Sequence, residues 1–128
     1  MKTLNLQVVH RILLKNILDG EGKKGHSLSE LNDFFKIIDK VNFTEDEIKE
    51  YAFKQVLVDE GDPAKGASLN WQTKKGEEDI DVLKPFEISD DQASLLKKII
   101  DEKNKAKEFV ASELKIVDIA DQLELKII

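Results

Sequence analysis

Three short polar motifs fix where helices can begin in this chain. Ser27–Glu30, Thr44–Glu47 and Ser89–Gln92 each place a Ser or Thr three residues before a Glu or Gln, which is the pattern of a capping box. In this motif, the two side chains satisfy each other's backbone N–H groups at the first turn of a helix. Apolar residues at helical spacing follow each motif. The sequence therefore predicts a helix after each one.

The predicted helices account for most of the chain. The first covers about residues 5–19, with Asn5 placed to cap its first turn. The next two cover about 28–40 and 45–58. The third capping box opens a helical region over about 90–122, which forms one helix or two because a polar run interrupts its apolar stripe.

A β-hairpin is predicted between the helices, over about residues 68–83. Apolar and polar residues alternate there, as in a strand that is buried on one face. A two-residue turn at Lys75-Gly76 would set Trp71 opposite Ile80. A type I turn with a bulge at Gly76 is the competing geometry.

Length and composition fit one soluble domain over residues 1–128. The chain is 41% hydrophobic and 36% charged, and a chain of this size buries enough surface for a core. The predicted fold is α+β and mostly helical: three N-terminal helices, a central β-hairpin, and one or two C-terminal helices. The absence of cysteine suits a reducing compartment, and the first residues lack the plan of a signal peptide. We therefore expect a cytoplasmic protein that is not embedded in a membrane.

Negative charge is concentrated in the middle of the chain. Residues 44–92 hold 14 acidic and six basic side chains, a net of −8, whereas the whole chain carries −6. Binding to a nucleic-acid backbone depends on Lys and Arg that displace counterions, so we expect no direct nucleic-acid binding. An acidic segment of this kind either solvates the protein or faces a basic partner.

The side chains that usually carry out catalysis are scarce. The chain has no Cys, and its two His, His10 and His26, lie in different predicted elements. Ser-x-x-Lys patterns begin at Ser94 and Ser112, but the other motifs of that enzyme class are missing. The sequence accordingly predicts no enzyme, no catalytic residues, no cofactor and no metal site.

One cluster is a candidate for binding another protein. Trp71, the only Trp, lies on the predicted hairpin with Glu77, Glu78, Asp79 and Asp81. Interface hot spots favour Trp inside a ring that excludes water. Packing of Trp71 against the helices is the alternative.

The Leu4-Asn5-Leu6-Gln7 start and the order of helices, acidic hairpin and helix resemble small uncharacterised proteins encoded in bacteriophage and prophage genomes. The resemblance is in layout and extends over most of the chain. It implies an accessory role in virion assembly or host takeover, and it assigns no functional residue.

We expect a non-catalytic protein-binding module that uses the acidic hairpin region to contact a protein partner. One alternative is an acidic mimic of nucleic acid that inhibits a nucleic-acid-binding protein of the host. Another is a small hydrolase whose carboxylates converge only in three dimensions. Long amphipathic helices often pair, so a homo-oligomer is also compatible with the sequence.

Overall fold

The computed structural model describes residues 1–57, 61 and 67–126. It confirms the α+β, mostly helical class. The chain divides into two compact units, while the single domain over residues 1–128 stays a prediction. Unit 1 comprises residues 1–42 and 83–128, and unit 2 comprises residues 43–82.

Unit 1 contains two long strands and most of the helices. Its described elements are β1 (Lys2–Leu6), α1 (Val8–Gly22), α2 (Leu28–Val41), β6 (Lys84–Ile88), α4 (Asp90–Lys105), a 3₁₀ turn (Ala111–Glu113) and α5 (Ile116–Gln122). Unit 2 contains α3 (Glu45–Tyr51), β2 (Lys54–Leu57), β3 (Ala67–Asn70), β4 (Lys74–Lys75) and β5 (Glu78–Asp79). Each strand pairs antiparallel with one other strand, as β1–β6, β2–β3 and β4–β5.

All three predicted capping boxes are present. They begin α2, α3 and α4, and in each the Ser or Thr oxygen accepts the backbone N–H three residues on at 3.1 to 3.2 Å. The Glu or Gln of the same box accepts the backbone N–H of the cap. The orphan donors at these helix ends are therefore satisfied locally, as the sequence predicted.

The first predicted helix begins too early. Residues 2–6 form β1, which pairs with β6, and Leu4 and Leu6 are fully buried while Asn5 between them is exposed. Helix α1 begins at Val8 and is capped by Gln7, so the prediction of Asn5 as the cap was wrong. The segment with apolar residues at every second position forms a strand because a partner strand, 78 to 86 residues further along the chain, completes the ladder.

The side chain of Gln122 binds the free edge of β1. Its Oε1 accepts the N–H of Asn5 at 2.6 Å, and its Nε2 donates to the Asn5 carbonyl at 3.0 Å. One amide side chain thereby replaces the backbone groups of a neighbouring strand. This contact holds α5 against β1.

The core of unit 1 is aliphatic and joins all of its long elements. Residues of strands β1 and β6 and of helices α1, α2, α4 and α5 all contribute to it. Its fully buried members include Leu4, Leu6, Leu14, Ile37, Val41, Ile88, Leu96, Ile100 and Ile119.

Helix α3 is shorter than predicted. It ends at Tyr51 instead of near residue 58, because Ala52 adopts a left-handed conformation with φ of 49°. Residues 54–57 form β2, which pairs with β3, and residue 58 lies outside the described part. A left-handed Ala at a helix end carries no sequence signal of the kind that Gly gives.

The hairpin predicted over residues 68–83 forms only in part, because β3 pairs with β2 and the short β4–β5 hairpin has a different register. Its turn is Gly76-Glu77 instead of Lys75-Gly76, and Lys74 lies opposite Asp79. Gly76 takes the positive φ of 66° at the first turn position, so Lys75 is spared that conformation. Trp71 is not paired with Ile80, whose N–H donates instead to the carbonyl of Thr73.

The C-terminal region forms two helices. Helix α4 includes the polar run and ends at Lys105, two residues before Lys107, which has φ of 56°. The chain re-enters a helix at Ile116. The sequence left open whether this region forms one helix or two; the structure has two, and the break follows the polar run instead of lying within it.

Candidate functional site

The five candidate residues for protein binding all lie in unit 2, between the end of β3 and the end of the unit. Glu77 is in the β4–β5 turn, and Glu78 and Asp79 form β5. These three side chains are exposed, whereas Trp71 and Asp81 are half-buried. The structure thus separates the five into an exposed acidic group and a partly buried pair.

Trp71 and Asp81 form the partly buried pair. The indole Nε1–H of Trp71 donates to Oδ2 of Asp81 at 3.1 Å. The indole also lies against Phe53, with the ring centroids 6.3 Å apart and the planes tilted by 53°. Both the apolar ring and the polar N–H of Trp71 therefore have partners inside unit 2, which favours the packing interpretation of this residue.

Phe53 connects Trp71 to a larger aromatic cluster. Phe43, Tyr51 and Phe53 contact one another edge-on, with centroid separations of 4.9 to 6.3 Å. Tyr51 is 1% exposed, and its hydroxyl donates to the Ile80 carbonyl at 3.3 Å. Trp71 lies at the end of this cluster, which occupies the interior of unit 2.

The β4–β5 hairpin carries both signs of charge. Lys74 and Lys75 on β4 lie opposite Asp79 and Glu78 on β5. Lys74 Nζ is 3.9 Å from an oxygen of Asp79, and both side chains are well exposed, so the pair contributes little to stability. The sequence prediction treated this hairpin as purely acidic, whereas cross-strand pairing neutralises part of it.

Three further exposed carboxylates lie on α3, outside the predicted site. Glu45, Asp46 and Glu50 are exposed on this helix of seven residues. At the sequence level these acids were counted in the net charge of residues 44–92 but were not named as site residues. Their position in the same acidic third of the chain was the signal that could have added them to the candidate surface.

The charge of the two units differs sharply. Residues 43–82 hold 11 acidic and five basic side chains, a net of −6, whereas the remaining residues hold 15 of each. The 26 acidic and 20 basic residues of the whole chain give the same −6. The net charge of the protein therefore resides in unit 2, and unit 1 is neutral.

Two carboxylates, Asp90 and Glu124, line a cavity of about 250 Å³ in unit 1. Ser94 and Lys97, the ends of one Ser-x-x-Lys pattern, line it as well. The Asp90 side chain is 86% exposed and pairs with the α-ammonium group of Met1 at 3.2 Å. The hydrolase hypothesis stays a prediction.

The described residues contain no group of three or more His, Asp and Glu placed to hold a metal ion. Of the helices in the described ranges, none is both long enough and apolar enough to cross a membrane. No protein-family model, curated protein or solved structure matches this chain.

Proposed function

We propose that this protein is a non-catalytic protein-binding module, and that unit 2 binds a basic segment of a protein partner. The observation that carries the proposal is the confinement of the entire net charge of −6 to residues 43–82, beside a neutral unit 1. A field of one sign on one part of a protein attracts an oppositely charged partner and raises the association rate.

The proposed contact surface consists of exposed carboxylates on two elements of unit 2. Glu45, Asp46 and Glu50 lie on α3, and Glu77 and Glu78 lie on the hairpin. We refer to these five residues as the acidic surface. Each can accept hydrogen bonds from Lys or Arg without displacing a buried partner.

Trp71 has a supporting role in the proposal. Its indole packs on Phe53 and donates to Asp81, so it stabilises the unit that carries the carboxylates. As the only Trp of the chain, it also provides a fluorescence signal from unit 2.

The resemblance to phage-encoded proteins supports a partner in virion assembly or in host takeover. The absence of cysteine supports a cytoplasmic setting. A nucleic-acid mimic would use the same acidic surface on a narrower class of partner, the DNA- or RNA-binding proteins.

A pair of charge-matched variants tests the proposal. Glu50→Lys with Glu77→Lys changes the acidic surface, and Asp39→Lys with Glu87→Lys makes the same change in net charge on exposed positions of unit 1. The probe is a labelled peptide of about ten lysines, titrated at low salt because screening weakens such contacts. Fluorescence anisotropy should report binding by the parent and by the unit 1 variant.

The unit 2 variant should bind the peptide at least about tenfold more weakly, which corresponds to about 1.4 kcal/mol. Equal weakening by both variants would contradict the proposal, because only net charge would then matter. Circular dichroism spectra that match the parent exclude unfolding as the cause.

A further inference from the structure

A groove between α1 and α2 has no occupant among the described residues of unit 1. It encloses a cavity of about 190 Å³. Asp19 and Lys23 stand at its edge, one of each charge. Its apolar lining comes from Leu18, Gly22, Leu31, Phe34, Phe35 and Ile38.

Helix α2 presents two different apolar faces. Phe34, Ile37 and Val41 are buried in the core, with at most 1% of each side chain exposed. On the other face, Leu28 is 84% exposed and Phe35 is 62% exposed. An exposed phenyl ring therefore stands at the edge of an apolar cavity on the same surface.

We propose that this face binds a second copy of the chain, with Phe35 of each copy entering the α1–α2 cavity of the other. A symmetric dimer uses the same patch on both subunits, so the patch must contain both the projecting group and the hole that receives it. The groove contains both, in Phe35 and the cavity. The size also fits, because an apolar cavity of about 150 Å³ can hold a benzene molecule.

Charge does not oppose a second copy at this face. Unit 1 holds 15 acidic and 15 basic side chains, and the groove edge carries one of each. The groove edges of two copies therefore carry no net charge of like sign, whereas two acidic surfaces of unit 2 would repel each other. The contact uses residues of unit 1 only, so this inference does not rest on the proposed function.

Two variants test the two halves of the contact separately. Phe35→Ser removes the ring that enters the cavity. Gly22→Leu fills the cavity from α1, where a Cβ on Gly22 would meet no atom within 4 Å. Leu114→Ser is the matched control, because Leu114 is 72% exposed in unit 1 and does not line the groove.

Sedimentation velocity over about 5 to 500 µM protein gives the assembly state of each variant. The parent and Leu114→Ser should dimerise as concentration rises, whereas Phe35→Ser and Gly22→Leu should each weaken the dimer at least tenfold. A parent that stays monomeric would overturn the proposal and leave the groove to another occupant. A dimer that survives in both groove variants would contradict the proposal, because the contact would then use another surface. Loss of the dimer in only one of the two variants would also contradict it, because Phe35 would then not lie in the cavity. Circular dichroism confirms that each variant is folded.

Discussion

His10 and Asp118 join the first turn of α1 to α5 through a hydrogen bond of 2.8 Å between Nε2 and Oδ2. The other ring nitrogen, Nδ1, accepts the backbone N–H of Gln7 at 3.0 Å. Since Nδ1 acts as an acceptor, the neutral ring carries its proton on Nε2 and donates it to the carboxylate. The His10 side chain is 4% exposed. This buried residue therefore connects α1 to α5 and also satisfies the backbone N–H of Gln7 at the start of α1.

Replacing His10 should therefore cost stability according to the hydrogen bonds that are lost. His10→Ala removes both bonds and should lower the free energy of unfolding by about 1 to 3 kcal/mol. His10→Gln keeps an acceptor for Gln7 and a donor for Asp118, so it should retain most of that stability. Urea unfolding followed by circular dichroism measures both variants. Equal losses would show that ring packing, and not hydrogen bonding, gives His10 its role.

Substitution of Arg11 should cost more stability than substitution of Lys15, a neighbouring half-buried cation. It is 1% exposed, and its Nε and Nη2 donate to the carbonyls of Val41 and Asn42 at 2.9 and 2.8 Å. Arg11→Lys should lower the free energy of unfolding by about 2 to 4 kcal/mol, because an ammonium group cannot reproduce this fork. Lys15 of α1 lies near the same end of α2. Lys15→Met should lower the free energy of unfolding by about 1 kcal/mol or less. Chemical unfolding should rank the two variants in this order.

Replacement by alanine should have opposite effects on stability at Gly20 and at Gly76. Gly20 lies inside α1, and an added Cβ would meet no atom within 4 Å, so Gly20→Ala should stabilise the protein by about 0.5 to 1 kcal/mol. Gly76 holds φ of 66° in the hairpin turn, where Ala is strained, so Gly76→Ala should destabilise unit 2. Circular dichroism follows the first variant and Trp71 fluorescence the second. A destabilised Gly20→Ala protein would contradict the open space described around Gly20.

Lowering the pH should remove the stabilising contribution that Glu30 makes at the start of α2. The backbone N–H and the hydroxyl of Ser27 donate to the Glu30 carboxylate, and these bonds hold the pKa of Glu30 below its ordinary value of 4.5. A lowered folded pKa favours the ionised form, so the contribution is present above about pH 4.5 and is lost as the pH falls through the lower folded value. Glu30→Gln can accept the same bonds without a charge.

The melting temperature of the parent should exceed that of Glu30→Gln near pH 7, and the gap should narrow as the pH falls below 4.5. Thermal scans at several pH values measure this gap. A gap that does not change with pH would mean that the charge of Glu30 contributes nothing.

Local chemistry predicted a large part of this fold. The capping boxes located α2, α3 and α4 because their hydrogen bonds join residues three positions apart. These features depend on residues that are close in sequence, so they can be predicted from a single sequence. The polar run at the end of α4 left one helix or two open, and it is itself helical.

The features that were missed depend on distant partners. The segment Lys2–Leu6 has an apolar pattern that suits a helix until β6 is known to lie beside it. Residues 54–57 pair with β3, although the sequence placed the first segment in a helix and the second in a hairpin with residues near 80. The candidate site stays a prediction: its acids Glu77, Glu78 and Asp79 are exposed in unit 2, whereas Trp71 and Asp81 are hydrogen-bonded to each other.

In the proposed function, the basic partner binds unit 2 and not unit 1. Backbone amide shifts measured by NMR during titration with a peptide of about ten lysines test it residue by residue. We expect shifts concentrated on α3 and the β4–β5 hairpin, with amides of α1, α2, α4 and α5 unchanged. Shifts spread evenly over both units, or largest in unit 1, would contradict it.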